Sequence, residues 1–252
     1  MNAALEVEWL KLRRSRTVAV ATVVLVLGIP ALVAGFMRAA VASPQSQLGV
    51  KVHAMVSGTG WAAYLGLAEQ ICAVALFLGV GIVVAWCFGR EFTDHTLVSL
   101  YALPVSRGTV AAAKAAVVTA WAAVVSLAVL AVLLLAGPAA GVGLPDGDAA
   151  RAAPKAFAVA LLTAVLALTL ALPASLGRGY LPAIGGLLLV VLLTQILVTL
   201  GIGAWVPYAA PALWSQTTLP VDVGPVQLAL IPVTAVAVLW ATLRWWQTVE
   251  VT

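Results

Sequence analysis

The densest group of chemically capable side chains in this sequence lies between Gly89 and Lys114, where Arg90, Glu91, Asp94, His95, Thr96, Ser106, Arg107 and Lys114 fall together. Arg90 with Asp94, and Glu91 with His95, stand four residues apart, the spacing at which opposite charges meet on one helix face. Leu97, Leu100, Tyr101 and Leu103 follow at helical spacing. Pro104 ends the pattern, since it lacks an N–H and clashes with the preceding turn. The residues predict a short helix with a charged start and an apolar side, a form suited to docking on a soluble partner. A merely solvated loop is the alternative.

Other chemistry is excluded by what the sequence lacks. It has no G-x-x-x-x-G-K-S/T to cradle phosphates, and Gly177-Arg178-Gly179 is too short for a dinucleotide fingerprint. His53 and His95 are far apart and fall on opposite sides of the expected membrane, and H-E-x-x-H is absent, so no metal site is expected. Cys72 and Cys87 are separated by about 22 Å if one helix carries both, too far for a disulfide. The apolar stretches hold no chain of His, Asp or Glu of the kind that relays protons through a pump. They also lack a convincing nucleophile with a polar partner. No catalytic residue and no bound cofactor are expected.

The elements that must position the charged segment follow from composition. Of 252 residues 63% are hydrophobic and 9% charged, with mean hydropathy +1.12. A soluble domain carries roughly 25% charged residues, and this chain would leave intolerable apolar surface in water. An ordinary cytosolic enzyme, a disordered regulator and a nucleic-acid-binding domain are thereby excluded. Six stretches reach the roughly 20 apolar residues a bilayer requires: Thr17–Phe36, Ala68–Phe88, Thr109–Ala136, Ala156–Leu176, Leu181–Ala204 and Gly224–Leu243. Only Glu69 and Lys114 are charged within them. The expected fold is all-α, with six transmembrane helices in one membrane domain over residues 1–252. Pro30, Pro173, Pro182 and Pro232 predict kinks or adjusted ends. The first stretch resembles a signal peptide in its charged start and in Ala40-Val41-Ala42. Its apolar run is too long, however, and Arg38 interrupts it, so an uncleaved anchor is expected.

Cation placement sets the expected orientation. With the N-terminus in the cytoplasm, the inner side holds Lys11, Arg13, Arg14, Arg16, Arg90, Arg107, Lys114, Arg178 and Arg244. The outer side holds only Arg38, Lys51, Arg151 and Lys155. Six spans then return the C-terminus to the cytoplasm. Trp61, Trp205 and Trp214 fall at the outer edge, and Trp9, Trp86, Trp240, Trp245 and Trp246 at the inner one. The net charge of +4 therefore reports topology and contact with lipid headgroups, not a nucleic-acid partner.

Three further features are weaker. Leu5, Trp9 and Leu12 lie at i, i+4 and i+7, predicting an interfacial amphipathic helix before the first span. Trp205 to Val223 carries three prolines among aromatics, too apolar for a plain outer loop. Lipid-facing anchoring by its aromatics is one reading. Along a possible substrate path, Glu69 opens the second span and Gln195 sits in the fifth, where its amide either touches cargo or bonds a neighbouring helix.

In Glu91, Thr96, Pro104, Ser106-Arg107 and Lys114, together with the Glu6-to-Lys11 start and six spans, the sequence resembles the membrane subunits of type-2 ABC exporters. It departs at His95, where the family commonly has glycine. The resemblance implies that the loop helix is a cytoplasmic coupling helix, with Gly89, Arg90, Glu91, Asp94, His95, Thr96, Leu100, Pro104, Arg107 and Lys114 as coupling residues. It implies two copies of an ATP-binding subunit carrying ATP and Mg, a second permease subunit (homo- or heterodimer), and residence in the plasma membrane. For Trp205 to Val223 it implies the other reading, a short re-entrant or interfacial helix on the outer side. The cargo expected is a hydrophobic or amphipathic molecule such as an antibiotic, a lipid or a modified peptide. A non-transporting membrane scaffold or sensor that binds a cytosolic partner is the alternative.

Overall fold

The computed structural model describes residues 2–56, 58–94, 96, 105–216 and 223–249, and every regular element among them is helical. In chain order they are α1 (Asn2–Arg14), α2 (Arg16–Ala42), α3 (Gln47–Met55), α4 (Gly60–Thr93), α5 (Arg107–Ala140), α6 (Gly147–Leu176), α7 (Tyr180–Thr199), α8 (Ala210–Ser215) and α9 (Pro225–Thr248). Six of these, α2, α4, α5, α6, α7 and α9, are long and apolar enough to cross a membrane. The chain is a multi-pass, all-α membrane protein. His95 and residues 97–104, which include Leu100 and Pro104, lie outside the described residues.

Most helices outrun the apolar stretches that announce them, because hydropathy marks only the part in hydrocarbon while the backbone ladder continues through polar turns. Thus α4 starts at Gly60, well before Ala68, and continues to Thr93. The opposite holds for α7, which stops at Thr199 and not at Ala204. There Gly201 takes φ +83°, and the N–H of Ile202 closes back on the Leu197 carbonyl, a left-handed stop that glycine makes cheap.

The prolines act as their chemistry requires. A proline ring crowds the carbonyl four residues earlier. For Pro30 that residue is Val26, within a π-helical turn at Val24–Gly28. For Pro173 it is Thr169, within a 3-10 turn at Leu168–Leu170. In both cases the ladder changes pitch where the ring would clash. Pro182 lies in the first turn of α7, and Pro232 is carried inside α9. Three of the spans have side-chain caps at their starts: the Ser15 hydroxyl accepts from Val18 N at the head of α2, Ser106 accepts from Thr109 N at α5, and Asp146 accepts from the N–H groups of Asp148 and Ala149 at α6.

Helices α4, α5 and α6 are the most buried spans, whereas α2, α7 and α9 keep most of their apolar surface on the outside. Several polar side chains within the spans close on their own helix or a neighbour, as a bilayer favours. Thr22 and Ser126 donate to carbonyls four residues back. Trp121 Nε1 donates to Thr22 (3.0 Å), Tyr64 to the Leu133 carbonyl (3.1 Å), and Trp246 Nε1 to Ser175 (2.8 Å). At the end bearing residues 43–60, Trp61 Nε1 donates to the Leu144 carbonyl (3.0 Å). The segment after α7 forms a 3-10 turn at Gly203–Trp205 and then α8. The latter buries Ala210 and Leu213 against α4 and α6.

Candidate functional site

At the end of the bundle shared by α1, the tail of α4 and the head of α5, four charged side chains converge. Lys114 lies two turns into α5 and is 0% exposed. Its Nζ donates to Glu91 Oε1 at 2.7 Å, Glu8 Oε2 at 2.9 Å and the Cys87 carbonyl at 3.2 Å. Three acceptors satisfy the three N–H bonds of an ammonium. Lys11 adds bonds to Glu8 Oε1 (2.6 Å) and Glu91 Oε1 (3.0 Å). Two carboxylates thus face two ammonium groups with no formal excess. The four residues come from three helices, so their geometry fixes α1 against the roots of both spans flanking residues 94–106.

The electrostatics show why the cluster holds. Burial alone pushes the Glu8 carboxyl above its usual range, but Lys114 and Lys11 outweigh that and hold it below. Glu91 Oε2 is buried and accepts no hydrogen bond from the described residues. A buried arrangement of this kind is costly to break one member at a time, because the partner left behind is a bare charge.

The residues expected to couple this chain to a partner do not share one exposed face. Glu91, expected to pair with His95 on the surface of a docking helix, is buried and turned to Lys114. The reason is positional: α4 remains helical through Thr93, so Glu91 belongs to the end of the span, one turn beyond Cys87. Arg90 places its guanidinium 4.7 Å from the centre of the Trp86 ring, not against Asp94. Asp94 ends α4, exposed, with its N–H on the Arg90 carbonyl at 2.7 Å. Thr96 N donates to the Glu91 carbonyl (3.1 Å). Gly89 has no room for a side chain, since a Cβ would come within 2.5 Å of Tyr180 N. It therefore lets the start of α7 seat on α4. Arg107 reaches the other terminus, donating to the carbonyls of Val249 and Gln247.

On α1 the apolar stripe is only partly covered by the rest of the chain. Leu5 is half-buried and Leu12 buried, but Trp9 is 44% exposed. The inward face is Leu5, Glu8 and Leu12, at i, i+3 and i+7, and Trp9 lies to its side against Ala116 and Ala120 of α5. Glu8 and Lys155 are the functional candidates that sequence reasoning missed. For Glu8 a signal existed: an acidic residue in register with two buried leucines.

The weaker candidates lie elsewhere. Glu69 is buried on α4 toward the opposite end, with Lys155 Nζ of α6 at 3.1 Å from Oε2. That contact is one of charge, without the alignment of a hydrogen bond. Lys155 also lies 5.7 Å from the centre of the Trp214 ring. Gln195 is exposed on α7 and lines a groove of about 310 Å³ with Phe77, Thr194, Tyr208 and Gln216. Among the described residues no three His, Cys, Asp or Glu side chains converge as a metal site would need. Cys72 and Cys87 are both buried and unbridged.

Comparison with curated proteins finds no match. A family model described as ABC-2 family transporter protein matches residues 4–195, about three quarters of the chain, and so takes in all four members of the buried charge cluster. By that match the chain belongs to the ABC-2 family, whose members are the membrane permease components of transporters rather than catalytic subunits.

Proposed function

We propose that this chain is the permease subunit of an ATP-driven exporter, working by alternating access with a second permease subunit and two separate ATP-binding subunits. ATP and Mg belong to those partners. The observation that carries the reading is the cluster of Glu8, Lys11, Glu91 and Lys114. Residues 94–106 leave the end of α4 and return at the head of α5, so a force applied to them reaches both spans together. The Glu91–Lys114 pair makes the two roots one unit, and Glu8 adds α1 to it. Closure of the ATP-binding subunits would then tilt a rigid three-helix foot instead of bending a loop, and packed helices switch between discrete arrangements. The cation distribution supports an N-terminus and C-terminus in the cytoplasm of a plasma-membrane protein, with the whole chain as one membrane domain.

The groove lined by Gln195, Thr194, Tyr208 and Gln216 lies between α4, α7 and α8. It pairs an apolar floor with a few amide and hydroxyl groups, a lining suited to amphipathic cargo such as an antibiotic, a lipid or a modified peptide. Glu69 lies one helical turn along α4 from Ala73 in that lining. The test begins with purification from native membranes. A P-loop ATPase should accompany the chain, and Asp94→Lys, on an exposed side chain, should weaken that association. Glu91→Gln should keep the complex but lower ATP-driven transport in proteoliposomes by tenfold or more. A chain that purifies as a stable particle with no ATPase would favour a scaffold or sensor instead.

A further inference from the structure

An apolar groove of about 700 Å³ runs between α2 and α4, on a face separate from the sites above. Its walls are Val20, Val24 and Leu32 of α2 and Ala75, Leu78 and Ile82 of α4. The two helices meet closely at its floor, where a Cβ on Gly79 would lie 2.7 Å from a Leu25 methyl. On α4 the outward seam continues as Ile82, Trp86 and Arg90, four residues apart each time, and all three are at least partly exposed. On α2 the same end of the groove is lined by Arg16.

The depth of the two arginines follows from helix rise. Counting from the Leu25–Gly79 contact, Arg16 lies nine residues along α2, about 14 Å, and Arg90 eleven along antiparallel α4, about 16 Å. The two arginine backbone positions therefore stand near one level, at one end of an apolar slot that Arg16 itself lines. Neither arginine forms an ion pair among the described residues. From Arg16 to Leu32 the slot extends about 24 Å, enough to take a long acyl tail from headgroup to terminal methyl.

We propose that this groove binds one anionic phospholipid, its acyl tail between α2 and α4 and its phosphate at Arg16 and Arg90. Charge favours lipid over a second copy of the chain. Each of the other four spanning helices begins or ends on this side with an arginine nearby (Arg107 at α5, Arg178 between α6 and α7, Arg244 at α9), so a copy's helix laid here would bring a third cation to two. A phosphate brings the complementary charge, and Trp86 supplies the amphipathic ring typical of the headgroup level. The site stands independently of the transport reading.

The experiment is native mass spectrometry of the purified chain after extraction from nanodiscs of mixed phosphatidylglycerol and phosphatidylcholine. One phosphatidylglycerol per chain should be retained, with a preference of about twenty-fivefold, the product of about fivefold per arginine near the surface. Arg16→Gln with Arg90→Gln should bring the preference close to one. Gly28→Phe keeps both arginines and fills the slot, for a Cβ there meets only a Val24 methyl at 3.9 Å. It should abolish retention. Equal retention of the two lipids by the unaltered chain, or a preference that survives loss of both arginines, would overturn the proposal. So would efficient disulfide cross-linking between Val20→Cys in one copy and a cysteine placed on another, since protein would then fill the groove.

Discussion

The two ends of this bundle each bury a glutamate of the same long helix, and they solve the problem differently. Glu91 of α4 sits with Lys114, Lys11 and Glu8 in a cluster in which both carboxylates and the innermost lysine are almost wholly buried. Glu69, also of α4, has one partner, Lys155, whose side chain is 32% exposed. The first arrangement is closed, charge-balanced and shared by three helices; the second is a single pair with one side in solvent. Lys11 and Lys155 are similarly exposed, 28% and 32%, so the difference lies in the shared network: no member of the cluster can leave without stranding another, whereas Lys155 binds a single carboxylate. On the proposed function, the first end would move as a block and the second would open.

The contrast is broken most directly by Lys114→Met. That change leaves Glu8 and Glu91 buried with Lys11 alone, and uncompensated buried charge costs about 3–5 kcal/mol. A marked fall in thermal midpoint in detergent, or loss of folded protein, is expected. Changing Lys114→Met and Glu91→Leu together leaves Glu8 and Lys11 as a balanced pair and should recover most of the loss. If the double variant melts no higher than the single one, the four residues do not act as a unit.

Acid sharpens the same comparison, with a smaller effect because protonation keeps the hydrogen-bonding group in place. Glu8 titrates below its ordinary value of 4.5, so the folded protein takes up its proton later than the unfolded chain as pH falls. Its contribution to stability is therefore complete above about 4.5 and disappears as pH drops through the lowered folded value. Thermal midpoints measured from neutral pH into that acid range should fall for the native chain and fall less for Glu8→Gln. Parallel curves would show that Glu8 carries no linked stabilisation.

How much of this was legible in the sequence varied with the kind of signal. Six spans and an all-helical fold follow from uninterrupted apolar runs, and the π and 3-10 turns lie where Pro30 and Pro173 demanded adjustment. Helix ends were less legible, since the start of α4 at Gly60 and its extension to Thr93 lie in polar turns that hydropathy does not register. Local spacing pointed Glu91 toward His95, which lies outside the described residues; the partners it has among those described, Lys114, 23 residues on in α5, and Lys11 of α1, are ones a pattern confined to one helix cannot see. The same limit hid Glu8, whose bond to Lys114 joins residues 106 apart. The Leu5–Trp9–Leu12 stripe was legible as an amphipathic pattern, but that pattern does not say which side packs on protein, and α5 took the neighbouring Glu8 face while Trp9 stayed exposed. Lys155 could not be tied to Glu69 until α4 and α6 were seen side by side.

The smallest expected effect lies at the open end. Glu69→Gln removes the charge facing Lys155 but keeps a polar side chain in its place, and Lys155 retains access to water and to the Trp214 ring. The change strands no buried charge, because Lys155 is partly exposed, so the thermal midpoint should move less than for Lys114→Met. If that end opens during a transport cycle, the variant should alter turnover or cargo preference more than stability, because Lys155 and Trp214 hold α6 and α8 near the groove that Gln195 lines. A loss of stability equal to that of Lys114→Met would show that both glutamates are structural anchors of the same kind. The proposed division between a rigid foot and a yielding gate would then fail.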